Sequence, residues 1–205
     1  MNELNDNELV RVRLRFIDLV KSFFVEEPDA EKMSRWRGTF SALTKEKISP
    51  RFDSAVLEMS RALGVKKLEE LQAEYYHLFT DPFEGSQVES NASFYFNGRS
   101  YGEALVDLRE LMNEAGIVKI DEVSEPEDSL VVMLDTFASL VEEEKTKSTP
   151  KIKELQARLL EEFLEPFVEK FTTQLKSNKQ CDFYYLCCRV LGGYLDLEKS
   201  LVVSV

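Results

Sequence analysis

The chain has 205 residues, of which 43% are hydrophobic, 31% charged and 11% aromatic. Its formal net charge of −12 argues against binding to nucleic acid or anionic lipid, because both partners are negatively charged. With 8 glycines and 6 prolines, the composition disfavours a turn-rich all-β fold and favours long helices.

Apolar residues that recur every three or four positions predict helices along most of the chain. The first predicted helix ends near Pro28, and the second begins after Asp29. The third begins at Pro50 and ends at Gly64, because proline is tolerated in a first helical turn and glycine commonly ends a helix. The fourth covers residues 65–79.

Residues 81–102 interrupt the helical pattern with turn-forming pairs such as Asp-Pro and Asn-Gly. A loop of this length is typical of a functional or mobile segment. The loop also contains aromatic side chains at residues 94–96 and at Tyr101, which either fill the core or line a groove for an apolar peptide. Helical spacing is predicted again over residues 103–115.

Ser124 and Glu127 have the spacing of a capping box, with Pro126 between them, and they predict the start of an apolar helix. The neighbouring carboxylates of Glu125 and Asp128 have two interpretations. They stabilise the positive end of this helix, or they pair with an arginine of a partner. Sequence spacing leaves both interpretations open.

Residues 142–150 are charged and polar, and they are predicted to form a solvated linker that is a candidate hinge. A long helix is predicted over residues 152–175, where Pro166 would kink or divide it, and an apolar helix over residues 181–197. Strict alternation is nearly absent. We therefore predict an all-α fold, with residues 1–205 as a single compact multi-helix domain and either a monomer or a domain-swapped dimer.

The sequence contains no recognisable catalytic or metal-binding pattern. The single histidine, His77, has no set of ligands spaced around it, and there is no Gly-rich phosphate loop. Cys187 and Cys188 lie in an apolar helix and are predicted to be buried. We therefore expect no cofactor, metal or catalytic residue. The sequence also has no signal-peptide pattern and no apolar run of ~20 residues, so we expect a cytoplasmic protein without stable membrane insertion.

Five short segments carry a family pattern, in order along the chain. EYYHLF at residues 74–79 is similar to the motif E-Y-x-x-L-F, and VES at residues 88–90 is similar to P-x-E-S. EPEDS at residues 125–129 resembles E-P-x-D-H, FLEPF at residues 163–167 resembles H-L-x-P-W, and FY at residues 183–184 resembles a common F-Y. Together they resemble the TorD/DmsD/NarJ family of redox-enzyme maturation chaperones.

The resemblance implies a chaperone, not an enzyme, whose partner is the precursor of a molybdenum-containing oxidoreductase. Such a chaperone binds the twin-arginine signal peptide and holds the precursor back from export until its cofactor is inserted. Asp128 and Glu125 would engage the arginine pair, and an aromatic groove would bury the apolar stretch. The implied peptide-binding residues are Glu125, Pro126, Asp128, Ser129, Tyr75, Glu89 and Ser90.

The sequence departs from the family pattern at three positions. Ser129 and Phe163 stand where the family has histidines, and Phe167 stands where it has tryptophan. Two alternatives to a signal-peptide chaperone stay open. One is a helical scaffold or regulator that recognises no signal peptide, and the other is a small nucleotide-hydrolysing enzyme.

Overall fold

A computed structural model of the chain describes residues 6–81, 87–120, 122–146 and 149–203, most of which lie in helices. These residues contain no β-strand, which confirms the all-α prediction. The helices are α1 (Asp6–Lys21), α2 (Ala30–Leu43), α3 (Pro50–Val65), α4 (Leu68–Tyr75), α5 (Ala92–Asn97), α6 (Glu103–Ala115), α7 (Leu130–Glu143), α8 (Pro150–Arg158), α9 (Glu165–Ser177) and α10 (Phe183–Val203). None of these described helices is both long enough and apolar enough to cross a bilayer.

The helices are distributed over two compact units. The first unit takes the described residues of Met1–Lys21, Ser90–Phe167 and Glu198–Val205, and the second takes those of Ser22–Glu89 and Val168–Leu197. The candidate hinge at residues 142–150 connects α7 to α8 within the first unit, and its residues 147 and 148 lie outside the described part. A single domain over the whole chain stays a prediction.

In the first unit, α7 packs on α1 and α8, and α6 packs on α5 and α8. Apolar residues at three- and four-residue steps place one face of each helix in the core. The buried residues include Leu105, Leu108, Leu111 and Met112 of α6, and Leu130, Met133, Leu134, Phe137, Leu140 and Val141 of α7. This packing holds the end of α6 and the start of α7, between which the candidate residues at 125–129 lie.

A buried arginine joins four separate parts of the first unit. Arg13 donates from Nη1 to Glu144 at 2.6 Å, from Nη2 to Gln156 at 2.8 Å and from Nε to Glu198 at 2.8 Å. Burying these charges is tolerated because the guanidinium has hydrogen-bond partners on three of its nitrogens. The network ties α1 to the end of α7, to α8 and to α10.

In the second unit, α2 packs on α3 around an aromatic core. The ring of Trp36 lies 5.1 Å from that of Phe23 and 5.9 Å from that of Phe183, and its Nε1 donates to Ser22 Oγ at 2.8 Å. Phe23 also stacks on Phe40. The predicted extension of the first helix to Pro28 is wrong, since α1 ends at Lys21 and Phe23 packs into this core.

One further boundary differs from the sequence prediction, and the division of the long helix near Pro166 agrees with it. The predicted loop over residues 81–102 contains α5, which ends at Gly98 with a positive φ of 72° that glycine adopts without strain. The long helix predicted over residues 152–175 is interrupted by a π-helical segment, Leu159–Leu164, before Pro166. A proline cannot donate to the carbonyl one turn earlier, and a widened turn relieves the clash of its ring.

A glycine allows close packing of α10 on α3. A methyl group at Gly193 would lie 3.0 Å from the Cα atom of Phe52, and that backbone atom cannot move aside as a flexible side chain does. We therefore expect Gly193→Ala to lower the free energy of unfolding by about 1–3 kcal/mol, as overpacking typically does. Urea unfolding followed by circular dichroism measures the change.

Gly38→Ala is the matched control, because Gly38 lies in α2 with no atom within 4 Å of the added methyl group. We expect this substitution to raise the free energy of unfolding by about 0.5–1 kcal/mol, since alanine is the better helix former. Equal changes in the two variants would contradict the close contact at Gly193.

Candidate functional site

Residues 125–129, here called the acidic turn, lie directly before α7 in the first unit. The predicted capping box at Ser124 and Glu127 is wrong, because Ser129 is the N-cap of α7. Ser129 Oγ accepts from Val132 N at 3.3 Å, whereas Ser124 is exposed and donates to the carboxylate of Glu125. The helix starts later than predicted because Ser129 N donates to Pro126 O at 3.0 Å, which forms a turn first.

Two backbone hydrogen bonds attach the acidic turn to the start of α5. Ala92 N donates to Asp128 O at 2.8 Å, and Leu130 N donates to Ser90 O at 2.9 Å. Asn91 and Ser129 face each other in this short antiparallel bridge. The fold therefore brings Ser90, from one family-like segment, beside Asp128 and Ser129 from another.

The carboxylate of Asp128 is fully buried, with an exposed fraction of 0%. Its Oδ2 accepts from Ser93 N at 2.8 Å and from Ser93 Oγ at 2.5 Å. The N-cap residue of α5, Asn91, makes no side-chain cap of its own, so Asp128 satisfies the first turn of α5 from a distant part of the chain. Within the described residues, Asp128 Oδ1 has no hydrogen-bond partner, and it keeps the capacity to accept one.

Glu127 is paired with an arginine of the same unit. Arg109 Nη2 donates to Glu127 Oε2 at 2.9 Å, and the exposed fractions of the two side chains are 52% and 16%. The hydrogen bond from Arg109 lowers the pKa of Glu127 below its usual value, and the same bond raises the pKa of Arg109. Both groups are therefore charged at neutral pH.

The carboxylate of Glu125 is exposed, although the backbone beneath it is held in place. Lys119 Nζ donates to the carbonyl oxygens of Glu125 at 2.7 Å and Val123 at 3.0 Å. The apolar side chains on either side of Lys119 face solvent, with exposed fractions of 82% for Val118 and 63% for Ile120. This loop thus presents the exposed carboxylate of Glu125 and two apolar side chains at the surface.

Some aromatic residues of the segment before α6 pack into the protein, and others are exposed where they could line a groove for an apolar peptide. Tyr95 is half-buried, and its ring makes an edge contact with that of Phe167 at 5.2 Å. Phe94 and Tyr101 are exposed, and Tyr101 has a positive φ of 57°, which is uncommon for a residue other than glycine. Core packing therefore accounts for Tyr95, whereas Phe94 and Tyr101 are available at the surface.

Tyr75 and Glu89, the other implied site residues, belong to the second unit and are half-buried. The ring of Tyr75 lies 5.1 Å from that of Phe79 and 5.8 Å from that of Tyr184. The π-helical segment Tyr76–Thr80 continues α4 through this family-like motif. Such segments often occur at functional sites in helices.

Glu74 is a structural residue that sequence reasoning left without a role. Its buried carboxylate accepts from Asp182 N at 2.8 Å and from Tyr184 N at 2.9 Å, at the start of α10. The carboxylate therefore caps a helix that lies more than a hundred residues away along the chain. One feature of the sequence could have indicated this role: Glu74 is an acidic residue on the apolar face of a predicted helix.

The cysteines offer no reactive thiol. Cys187 and Cys188 are buried as predicted, and burial raises the pKa of both thiols well above the usual value. Burial together with the charge of Glu74 raises the pKa of Cys181 to about 12. Thiolate chemistry at neutral pH is therefore disfavoured at all three positions.

The sequence profile described as nitrate reductase delta subunit matches residues 45–173, which include the acidic turn. The chain belongs to this family. It is the NarJ/TorD-like group of redox-enzyme maturation chaperones that the sequence resembles. No curated protein sequence matches the chain significantly.

A solved structure supports the fold of this delta-subunit family member. The crystal structure of a candidate redox enzyme maturation protein from Archaeoglobus fulgidus is similar, with a TM-score of 0.57 and 19% sequence identity. The similarity covers 90% of this chain and 94% of that chain. The two chains therefore share an all-helical architecture over most of their length.

We expect Glu74→Ala to lower the free energy of unfolding by about 1.5–3 kcal/mol, because two backbone N–H groups would lose a charged acceptor. Glu69→Ala removes the same charge from an exposed position of α4, and we expect a change within about 0.5 kcal/mol. Urea unfolding measures both values. Similar losses in the two variants would show that Glu74 does not cap α10.

The contribution of the Arg109–Glu127 pair to stability should depend on pH. Because Arg109 lowers the pKa of Glu127, the pair stabilises the folded state above the ordinary glutamate value of 4.5, and this is lost as the pH falls through the lowered pKa. At pH 7 the melting temperature of Arg109→Gln should be lower than that of the parent, and this difference in melting temperature should vanish in acid. A difference independent of pH would instead reflect packing of the arginine stem.

Proposed function

We propose that this protein is a non-enzymatic cytoplasmic chaperone. It binds the N-terminal, twin-arginine type signal peptide of a molybdopterin oxidoreductase subunit and assists cofactor loading and assembly of that subunit before export. Membership of the delta-subunit family supports the chaperone role. The observation that carries the peptide-binding proposal is the exposed carboxylate of Glu125 beside exposed apolar side chains.

The charge around the acidic turn favours a basic ligand. Residues 122–129 contain four acidic side chains, and two cations, Lys119 and Arg109, donate hydrogen bonds to this stretch within the described part of the chain. Four negative and two positive charges leave a local balance of −2, within a chain whose net charge is −12. Such a surface attracts an arginine pair and repels anionic partners.

Glu125 is proposed as the direct contact of a peptide arginine. Its carboxylate is exposed in the free protein, while Lys119 holds its backbone, so little ordering is needed before binding. The resemblance implies a similar contact for Asp128, but the carboxylate of Asp128 is buried against Ser93. We propose that Asp128 acts as a positioning residue, which holds the acidic turn in the conformation that presents Glu125.

The other implied residues have supporting roles in the same proposal. Ser129 caps α7 and Pro126 accepts the hydrogen bond that closes the acidic turn, so both shape the surface below the peptide. Ser90 anchors the turn through its carbonyl oxygen. Tyr75 and Glu89 stay proposed peptide contacts of the second unit.

The apolar part of the peptide is proposed to pack on Val118 and Ile120, the exposed side chains beside Lys119. Burial contributes about 25 cal/mol for each Å² of apolar area removed from water. These contacts and one or two charge-assisted hydrogen bonds are proposed to give an affinity near 1 μM, about −8 kcal/mol after the cost of association. An affinity of this size permits both capture and release of the precursor.

We expect Glu125→Gln to weaken binding of a synthetic peptide, two adjacent arginines followed by an apolar stretch, by about three- to tenfold. Its melting temperature should stay close to that of the parent. Asp128→Ala should weaken binding and also lower the melting temperature, because Ser93 loses its acceptor. Isothermal titration calorimetry and thermal unfolding measure the two effects.

Glu103→Gln is the charge-matched control, because Glu103 is an exposed carboxylate of α6 in the same unit. We expect it to change the affinity by less than about twofold, as a general electrostatic effect. If the parent protein fails to bind the peptide, the proposed function is wrong. If Glu125→Gln and Glu103→Gln bind alike, Glu125 is not the contact.

A further inference from the structure

We propose that Arg109 is an internal competitor of the peptide arginine. In the free protein its guanidinium occupies Glu127, and an arginine of the bound peptide displaces it. This inference rests on the proposed function and adds a regulatory step to the same acidic turn. The affinity for the peptide then depends on Arg109, although a cation does not itself attract a basic peptide.

The geometry matches what a displaceable contact requires. Arg109 reaches Glu127 through a hydrogen bond of 2.9 Å from Nη2, and about half of the arginine side chain remains exposed to solvent. Glu127 is mostly covered, with 16% of its side chain exposed. The guanidinium therefore approaches the carboxylate from the solvent side, by the route that an incoming guanidinium would take.

The acidic turn does not depend on Arg109 for its shape. Its first residue is held by Lys119, which donates to the carbonyl oxygen of Glu125, and its last residues are held by backbone bonds to Ser90 and Ala92. Asp128 adds two buried hydrogen bonds to Ser93. Removal of the Arg109 side chain should thus free Glu127 without disordering the turn.

Exchange of one guanidinium for another also keeps the carboxylate of Glu127 paired with a cation before and after the peptide binds. A largely covered carboxylate without a partner is costly, and Arg109 neutralises Glu127 until a peptide arrives. Peptide binding then replaces one charge-assisted hydrogen bond by an equivalent one. The net gain is small at this position, which favours release of the precursor.

The expected gain in affinity follows from the fraction of molecules in which Arg109 has released Glu127, here called the open state. A surface ion pair whose arginine is half exposed keeps its partners together in a ratio of roughly 1.5 to 5, so the fraction of molecules in the open state is about 0.2 to 0.4. The apparent dissociation constant is the intrinsic one divided by that fraction. We therefore expect Arg109→Gln to bind the arginine peptide about two- to sixfold more tightly than the parent.

Two controls separate competition from a general change of charge. Arg158→Gln removes a positive charge elsewhere in the first unit, where Arg158 contacts Glu114. In the Glu127→Gln background, Arg109→Gln should have no larger effect than Arg158→Gln, because the contested carboxylate is absent. The probe in every titration is the same synthetic peptide of two arginines followed by an apolar stretch, and all variants are first checked for folding by circular dichroism.

Tighter binding by Arg109→Gln than by Arg158→Gln, lost in the Glu127→Gln background, supports the competitor. A parent that does not bind the peptide contradicts the proposed function, whatever Arg109→Gln does. Equal or weaker binding by Arg109→Gln, with a parent that binds, overturns the competitor and leaves the proposed function standing. If neither protein binds the peptide, both the competitor and the proposed function are wrong.

Discussion

The buried carboxylate of Asp128 is the contact on which the arrangement of the candidate site depends. It accepts two hydrogen bonds from Ser93, and it thereby joins the segment before α7 to the first turn of α5. The adjacent backbone bonds of Ser90 and Ala92 exclude other registers between the two segments. Loss of this buried acceptor leaves the backbone N–H and the hydroxyl of Ser93 without their partner in the core.

Two of the family-like segments share this use of an acidic residue. Asp128 caps α5, and Glu74 caps α10, in each case from a part of the chain far away in sequence. Each carboxylate lies at the positive end of a helix whose own N-terminal residues leave backbone donors to be satisfied. In this chain both motif carboxylates are therefore part of the fold, whereas Glu125 in the same acidic turn as Asp128 is exposed.

The surface chemistry of the acidic turn combines attraction with internal neutralisation. Lys119 holds the backbone, Arg109 holds one carboxylate, and Glu125 is left exposed beside apolar side chains. A chaperone needs to capture a precursor and later release it, so a site that is partly occupied by its own cation has a physical advantage. Ser129 belongs to the scaffold of this site, since its hydroxyl caps α7 where the family pattern has a histidine.

Helical periodicity and end signals in the sequence determined the all-α class, the start of α3 at Pro50 and the whole of α6, because these depend on local backbone and solvation preferences. The order of the motifs also indicated the family. Local rules misplaced the start of α7 at Ser124, since Ser124 and Ser129 are equally good caps in isolation. Tertiary structure decided which one caps the helix, which carboxylate is buried and which is exposed. These outcomes depend on hydrogen bonds to residues distant in sequence, such as Ser93, which spacing alone does not reveal.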